Sequence, residues 1–90
     1  MQELYNKKAE IFKALSNPIR LEIIDLLLNG EICVSEIQEK LNKYEQPHIS
    51  KNLSKLKHVG LIKDKKVGLK VYYSLKITCL STFMNCLKTY

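Results

Sequence analysis

EQPHISKNLSKLKHVGLI, residues 45–62, is the stretch on which the reading of the whole chain turns. Ile49, Leu53 and Leu56 recur at helical spacing. Pro47 stands where a first-turn proline is tolerated, and Gly60 follows as a stop. The spacing predicts a helix over 46–58. His48, Lys51, Asn52 and Lys55 are expected on its outer side, and the lone carboxylate, Glu45, precedes its entrance. An outer face made of donors suits a polyanion. The plain alternative is a solvated face.

Charge elsewhere weighs between the two. The chain carries +6, but residues 40–76 hold ten Lys against two acids, Glu45 and Asp64, for +8. The remaining residues hold five Lys or Arg against seven acids, for −2. A basic half on a slightly acidic chain points to a polyanion partner rather than to general solubility.

Outward from the opening stretch, Leu4, Ile11, Phe12 and Leu15 mark a first helix over about 3–15, broken by Ser16-Asn17-Pro18. A second helix carries Ile19, Ile23, Leu26 and Leu27 and ends near Asn29-Gly30. A short extended piece, 31–34, precedes a third helix with Ser35 as its expected N-cap and Ile37 and Leu41 inward. After Gly60 the period changes to two. Ile62, Val71, Tyr73 and Leu75 alternate with Lys63, Lys65 and Lys70, and 66–69 is the expected turn of a hairpin. A final helix is expected from Ile77 to Tyr90, with Leu80, Phe83, Met84 and Leu87 on one side. The expected fold is mainly α with a β-hairpin wing, in the order α-α-α-α-β-β-α: a winged helix-turn-helix as a single domain over 1–90.

FKALSNPIRLEIIDLL, EICVSEI, QPHISKNLSKLKHVGLI and KDKKVGLKVYYSL, together spanning 12–75 with short gaps, resemble the ArsR/SmtB family of winged-helix repressors. The resemblance implies a homodimer that binds operator DNA and releases it on a metal, metalloid or thiol-reactive signal. By position it puts Gln46, His48, Ser50, Lys51, Asn52 and Lys55 on the recognition helix and Lys63, Lys65, Lys66 and Lys70 on the wing. Those residue types agree with the roles. Gln and Asn can pair bidentately with adenine, while Lys and Ser mainly hold phosphate. Two departures stand out. Glu45 replaces the serine that commonly precedes QP, and the turn over 41–46 looks one residue longer than usual.

The family's metal sites match poorly. Its CVC segment corresponds to Cys33-Val34-Ser35, so one thiolate of the pair is present, and a further thiol position holds Gln38. One thiolate makes no soft-metal site. ITCLSTFMNCLKTY, residues 77–90, lacks the His, Asp or Glu of the last-helix zinc site. What remains is Cys33 with Cys79 or Cys86, which could meet within a dimer as a three-thiolate arsenite site or a redox disulfide; Cys33 and Cys79 are the thiol-sensor candidates. Cys86 reads as a packed apolar side chain, and all three can be read so. No metal is assigned to His48 or His58, and no cofactor is required.

Apolar stripes on the first and last helices exceed what one small core needs, so these helices are the expected dimer interface. A two-fold dimer would present two recognition helices roughly 34 Å apart to an inverted-repeat operator on double-stranded DNA. Three scattered cysteines, no secretory h-region and no apolar run of about 18 residues give the expectation of a cytoplasmic protein with no membrane partner. Two further readings are a constitutive DNA binder without a ligand and a winged helix that docks on proteins. An enzyme is not expected: there is no nucleophile–base arrangement with a supporting motif, no phosphate loop and no paired-carboxylate motif.

Overall fold

Asn17 sets the first corner. In the computed structural model, which describes residues 1–89, its side-chain carbonyl accepts from the amides of Ile19 at 3.0 Å and Arg20 at 3.3 Å. With Pro18 in the first turn, this cap starts α2 (Pro18–Leu26) after α1 (Gln2–Leu15). Helix α2 does not run on to Asn29 as expected. It tightens into a 3₁₀ turn, Leu27–Asn29. Strand β1 (Ile32–Cys33) leads directly into α3 (Val34–Lys40). Ser35 does not cap α3. The helix begins one residue before it, and its hydroxyl meets the Cys33 sulfur at 3.3 Å.

Helix α4 (Gln46–His58) has the expected bounds. It ends in a Schellman motif: the Gly60 amide donates to the Lys57 carbonyl at 3.0 Å and the Leu61 amide to Leu56 at 3.1 Å. Gly60 takes φ +85°, which a side chain rarely adopts, and the chain turns straight into β2 (Ile62–Val67). The hairpin turn is shorter than expected. Only Gly68 and Leu69 lie between β2 and β3 (Lys70–Leu75). Gly68 alone has positive φ, at +63°, as a type II′ turn requires. β1 pairs with the far side of β3, so the hairpin becomes a three-stranded antiparallel sheet of order β1-β3-β2. The last helix is shorter than its periodicity suggested. Helix α5 (Leu80–Cys86) closes in a 3₁₀ turn, Leu87–Thr89, and Ile77 lies before it in a turn tied to the Leu61 carbonyl. Tyr90, the expected end of this helix, lies outside the described residues.

Ile23 and Ile24 of α2, Ile37 of α3, Ile49 and Leu56 of α4, and Leu61 and Ile62 are all buried in one core. Helix α1 contributes one buried residue, Ala14. Leu4 and Phe12 of its apolar stripe are 53% and 66% exposed. Phe83 of α5 and Leu87, just after it, are exposed too. One chain leaves the apolar faces of its terminal helices uncovered, an arrangement that marks an interaction surface. Among the described residues no helix is long and apolar enough to cross a membrane.

Candidate nucleic-acid interface

Four buried side chains fix how α4 sits: Ile49, Asn52, Leu53 and Leu56. At 3.6 residues per turn, Pro47, Lys51, Ser54 and His58 then point outward. Gln46, Ser50 and Lys57 flank them toward the sheet, and His48 and Lys55 toward α1. All of these are exposed. The flanks have structural markers. Lys57 pairs with Asp64 of β2 at 3.1 Å, while Lys55 and His58 share a cleft with Glu10 and Lys13 of α1. No acidic residue lies in the first turn, and Glu45 makes no side-chain cap.

Asn52 corrects the sequence reading. It is 7% exposed and faces inward, not outward. Its Oδ1 accepts from Arg20 Nε at 2.8 Å, and its Nδ2 donates to the His48 carbonyl at 2.8 Å. Both ends of the amide are engaged inside the fold, which turns it away from a base edge. Polarity alone groups it with Lys51, but helical spacing sets it about 100° round the helix from there, toward Leu56. Arg20, outside the recognition-helix and wing positions, is the partner that holds it. Its signal was available: it is the single Arg in the chain, set in the first turn of a capped helix.

The wing lysines divide by pleat. Lys66 lies on the same face as Asp64, the face toward α4, while Lys63 and Lys65 lie on the other. Lys63 pairs with Ser74 at the base of the hairpin, about 17 Å along the strand from the turn, and lines a hollow with Thr78 and Ser81. Lys65 is bound to Glu31 at 3.2 Å. Lys70 directly follows the turn on the face of Lys63 and Lys65, Lys66 lies one residue before Val67 on the face of Asp64, and with Lys51 and Lys55 these two have no carboxylate partner among the described residues. Salt titrations test this division. Lys66→Ala is expected to make the log–log salt slope of DNA binding shallower by about 0.9, and Lys63→Ala to leave it unchanged. Equal slopes for the two variants would refute the division.

The turn before α4 is held from α2. The Tyr44 hydroxyl donates to Glu22, and Lys43 pairs with the same carboxylate at 2.6 Å. Lys43 first, then Tyr44, holds the Glu22 carboxyl below its ordinary 4.5. Bonding to Glu22 raises Lys43 above 10.5 and Tyr44 above 10.0. A depressed carboxyl stabilises the fold above its unfolded pKa and loses that contribution as pH falls through the folded one. The raised groups contribute below their unfolded values and lose it in alkali. The clamp is therefore whole between about pH 4.5 and 10. Thermal melts of a Glu22→Gln variant are expected to approach the wild type as pH drops below 4.5 and to lie below it at pH 7. A constant gap at every pH would remove the carboxylate from the clamp.

The three thiols are free and do not share one environment. Cys33 is half-buried in β1, opposite Tyr72. The Ser35 hydroxyl, then the Ser35 amide, hold its thiol below the usual 9.0, with Lys70 adding to the pull. Cys79 and Cys86 are exposed on the single chain, so the packed reading of Cys86 does not hold there. No group of three or more His, Cys, Asp or Glu is arranged to hold a metal among the described residues.

With this geometry in hand, known proteins give it a context. The family described as bacterial regulatory protein, arsR family, matches residues 17–64, just over half the chain. An uncharacterised helix-turn-helix transcriptional regulator of Methanocaldococcus jannaschii is 47% identical over 72 residues, covering 79% of this chain and 80% of the relative. The transcriptional repressor SdpR of Bacillus subtilis is 40% identical over 75 residues, covering 83% of this chain and 82% of its own length. Among solved structures, the homodimeric winged helix-turn-helix DNA-binding domain Mb0332 of Mycobacterium bovis superposes with a TM-score of 0.84 at 30% identity, covering 98% of this chain and 81% of that one. The chain belongs to the arsR family, and it is a winged helix-turn-helix transcriptional regulator.

Proposed function

We propose that the protein is a cytoplasmic, homodimeric repressor of an inverted-repeat operator. The observation that carries this reading is the outer face of α4, where Gln46, His48, Ser50, Lys51 and Lys55 stand exposed with no acid in the first turn. Gln46 reads a base edge and Lys51 and Lys55 hold phosphates. Ser50 lies on the same arc as a phosphate contact. Lys66 and Lys70, near the two-residue turn on opposite faces of the hairpin, meet the backbone next to the groove that α4 enters. The uncovered faces of α1 and α5 join two copies, as the M. bovis relative's description as homodimeric suggests. DNA binding in this reading draws on the chain's own side chains and needs no cofactor.

A thiol-reactive signal as the releasing event is favoured by one observation, the acidified Cys33 thiol beside Ser35, since thiolate is the reactive form. The test uses DNA from upstream of the protein's own gene, with the protein reduced, oxidised, and reduced with arsenite added. Tight, salt-dependent binding of the reduced dimer is the expected result. Binding lost with oxidant or arsenite, and retained by Cys33→Ser, supports the thiol branch. Binding unchanged in all three states makes the protein a constitutive regulator. A dimer with no affinity for any duplex would leave the protein-docking reading instead.

A further inference from the structure

One arginine stands among fourteen lysines in this chain, and it lies in the cleft between α1 and α4 that Ser54, Lys55 and His58 also line. Half-buried in the first turn of α2, Arg20 sends Nε to Asn52 Oδ1 at 2.8 Å and Nη1 to the Ala14 carbonyl at 3.3 Å. Asn52 passes the connection on, donating to the His48 carbonyl at 2.8 Å. One guanidinium thus links the last turn of α1, the first turn of α2 and the inner side of α4. The Ala14 carbonyl is one of those that a helix end leaves unpaired. A planar fork aims donors in two fixed directions at once, which a lysine ammonium on a flexible stem does not.

Stability alone does not call for this arrangement. Position 52 is 7% exposed and sits beside Leu53 and Leu56, an apolar setting that admits a polar side chain only when it is hydrogen-bonded. A satisfied polar network instead selects one geometry among close alternatives. The quantity it fixes here is the rotation of α4 about its own axis. With side-chain tips about 6 Å from that axis, a 10° roll moves them about 1 Å, enough to spoil a hydrogen bond to a base.

We propose that Arg20 and Asn52 are positioning residues for operator recognition: they lock the roll of α4 against α1, and thereby against the second protomer, without touching DNA. This rests on the operator-binding reading above. The test titrates an operator duplex and a scrambled duplex of equal length with the wild type, Asn52→Ala, Arg20→Lys and the double variant, over a series of salt concentrations. Each single variant is expected to bind the operator about 10- to 100-fold more weakly, the equivalent of one misaligned base contact. Binding to the scrambled duplex and both salt slopes stay as in the wild type, and the double variant is no worse than the weaker single one. Amide signals of residues 46–51 shift in the free protein, while those of 67–70 stay in place.

Operator binding unchanged in either single variant overturns the role. So does a salt slope about 0.9 shallower on both duplexes, which would make the residue a phosphate contact. Additive losses in the double variant would likewise deny that the two act as one. If the wild type itself does not distinguish the duplexes, the operator reading falls instead. The α4 amide signals then decide the positioning role, and unmoved signals in Asn52→Ala overturn it.

Discussion

A Phe12→Asp chain is expected to sediment as a folded monomer and to lose at least about 100-fold in operator affinity. The side chain is 66% exposed, so the core of one chain hardly depends on it. It stands with Leu4 and Tyr5 on α1 and lines an apolar hollow shared with Ile77, Cys79 and Phe83 beside α5. In a two-fold interface each change occurs twice, so one substitution places two carboxylates in a surface that otherwise excludes water. Losing the partner removes the linkage between half-sites, which is worth 10²–10⁴ in affinity where geometry allows both to engage. Sedimentation velocity, far-UV circular dichroism and an operator titration on one preparation check all three parts. A dimer that survives Phe12→Asp would move the interface away from the terminal helices.

The second large effect is expected in the groove. Gln46→Ala combined with Lys51→Ala should reduce operator binding by about 10²- to 10⁴-fold, taking one base contact at about 1–3 kcal/mol and a charge-assisted phosphate contact of similar size. Both side chains are exposed on α4 and neither packs in the core, so the thermal midpoint should move little. The two can be separated. Lys51→Ala alone weakens binding to every duplex and flattens the salt slope, whereas Gln46→Ala weakens only the operator. Competition gels with operator and scrambled DNA across salt concentrations distinguish them. A double variant that still holds the operator at wild-type strength would place the reading helix elsewhere.

Much of this was legible in the sequence because it was written in period and punctuation. Ile49, Leu53 and Leu56 gave α4 its bounds and Gly60 its end, and Asn17-Pro18 gave the α1–α2 corner. The failures have a shared cause. Asn52 was placed outside because polarity is a local signal, whereas the partner that buries it, Arg20, is 32 residues away in sequence. The wing lysines were treated alike because their alternation was visible, but which face met α4 was decided by the Lys57–Asp64 pair and by the β1 strand closing on β3. The start of α5 moved from Ile77 to Leu80 because the hairpin's return to the Leu61 carbonyl uses the first residues of that apolar run. A helical period cannot register a tertiary tether.

The Schellman joint at Gly60 carries a consequence for how such a regulator can diverge. Helix α4 passes into β2 through one left-handed residue whose surroundings are open, with no atom within 4 Å of where a Cβ would stand. No slack segment separates α4 from the wing. The two form a ruler of set length, and the distance between base contact and wing contact is copied unchanged through any substitution on the outer surface. Relatives built on this joint are free to respell their targets one letter at a time, at positions such as Gln46. They cannot restretch them, because the spacing within a half-site is held in the backbone while its wording is held in side chains.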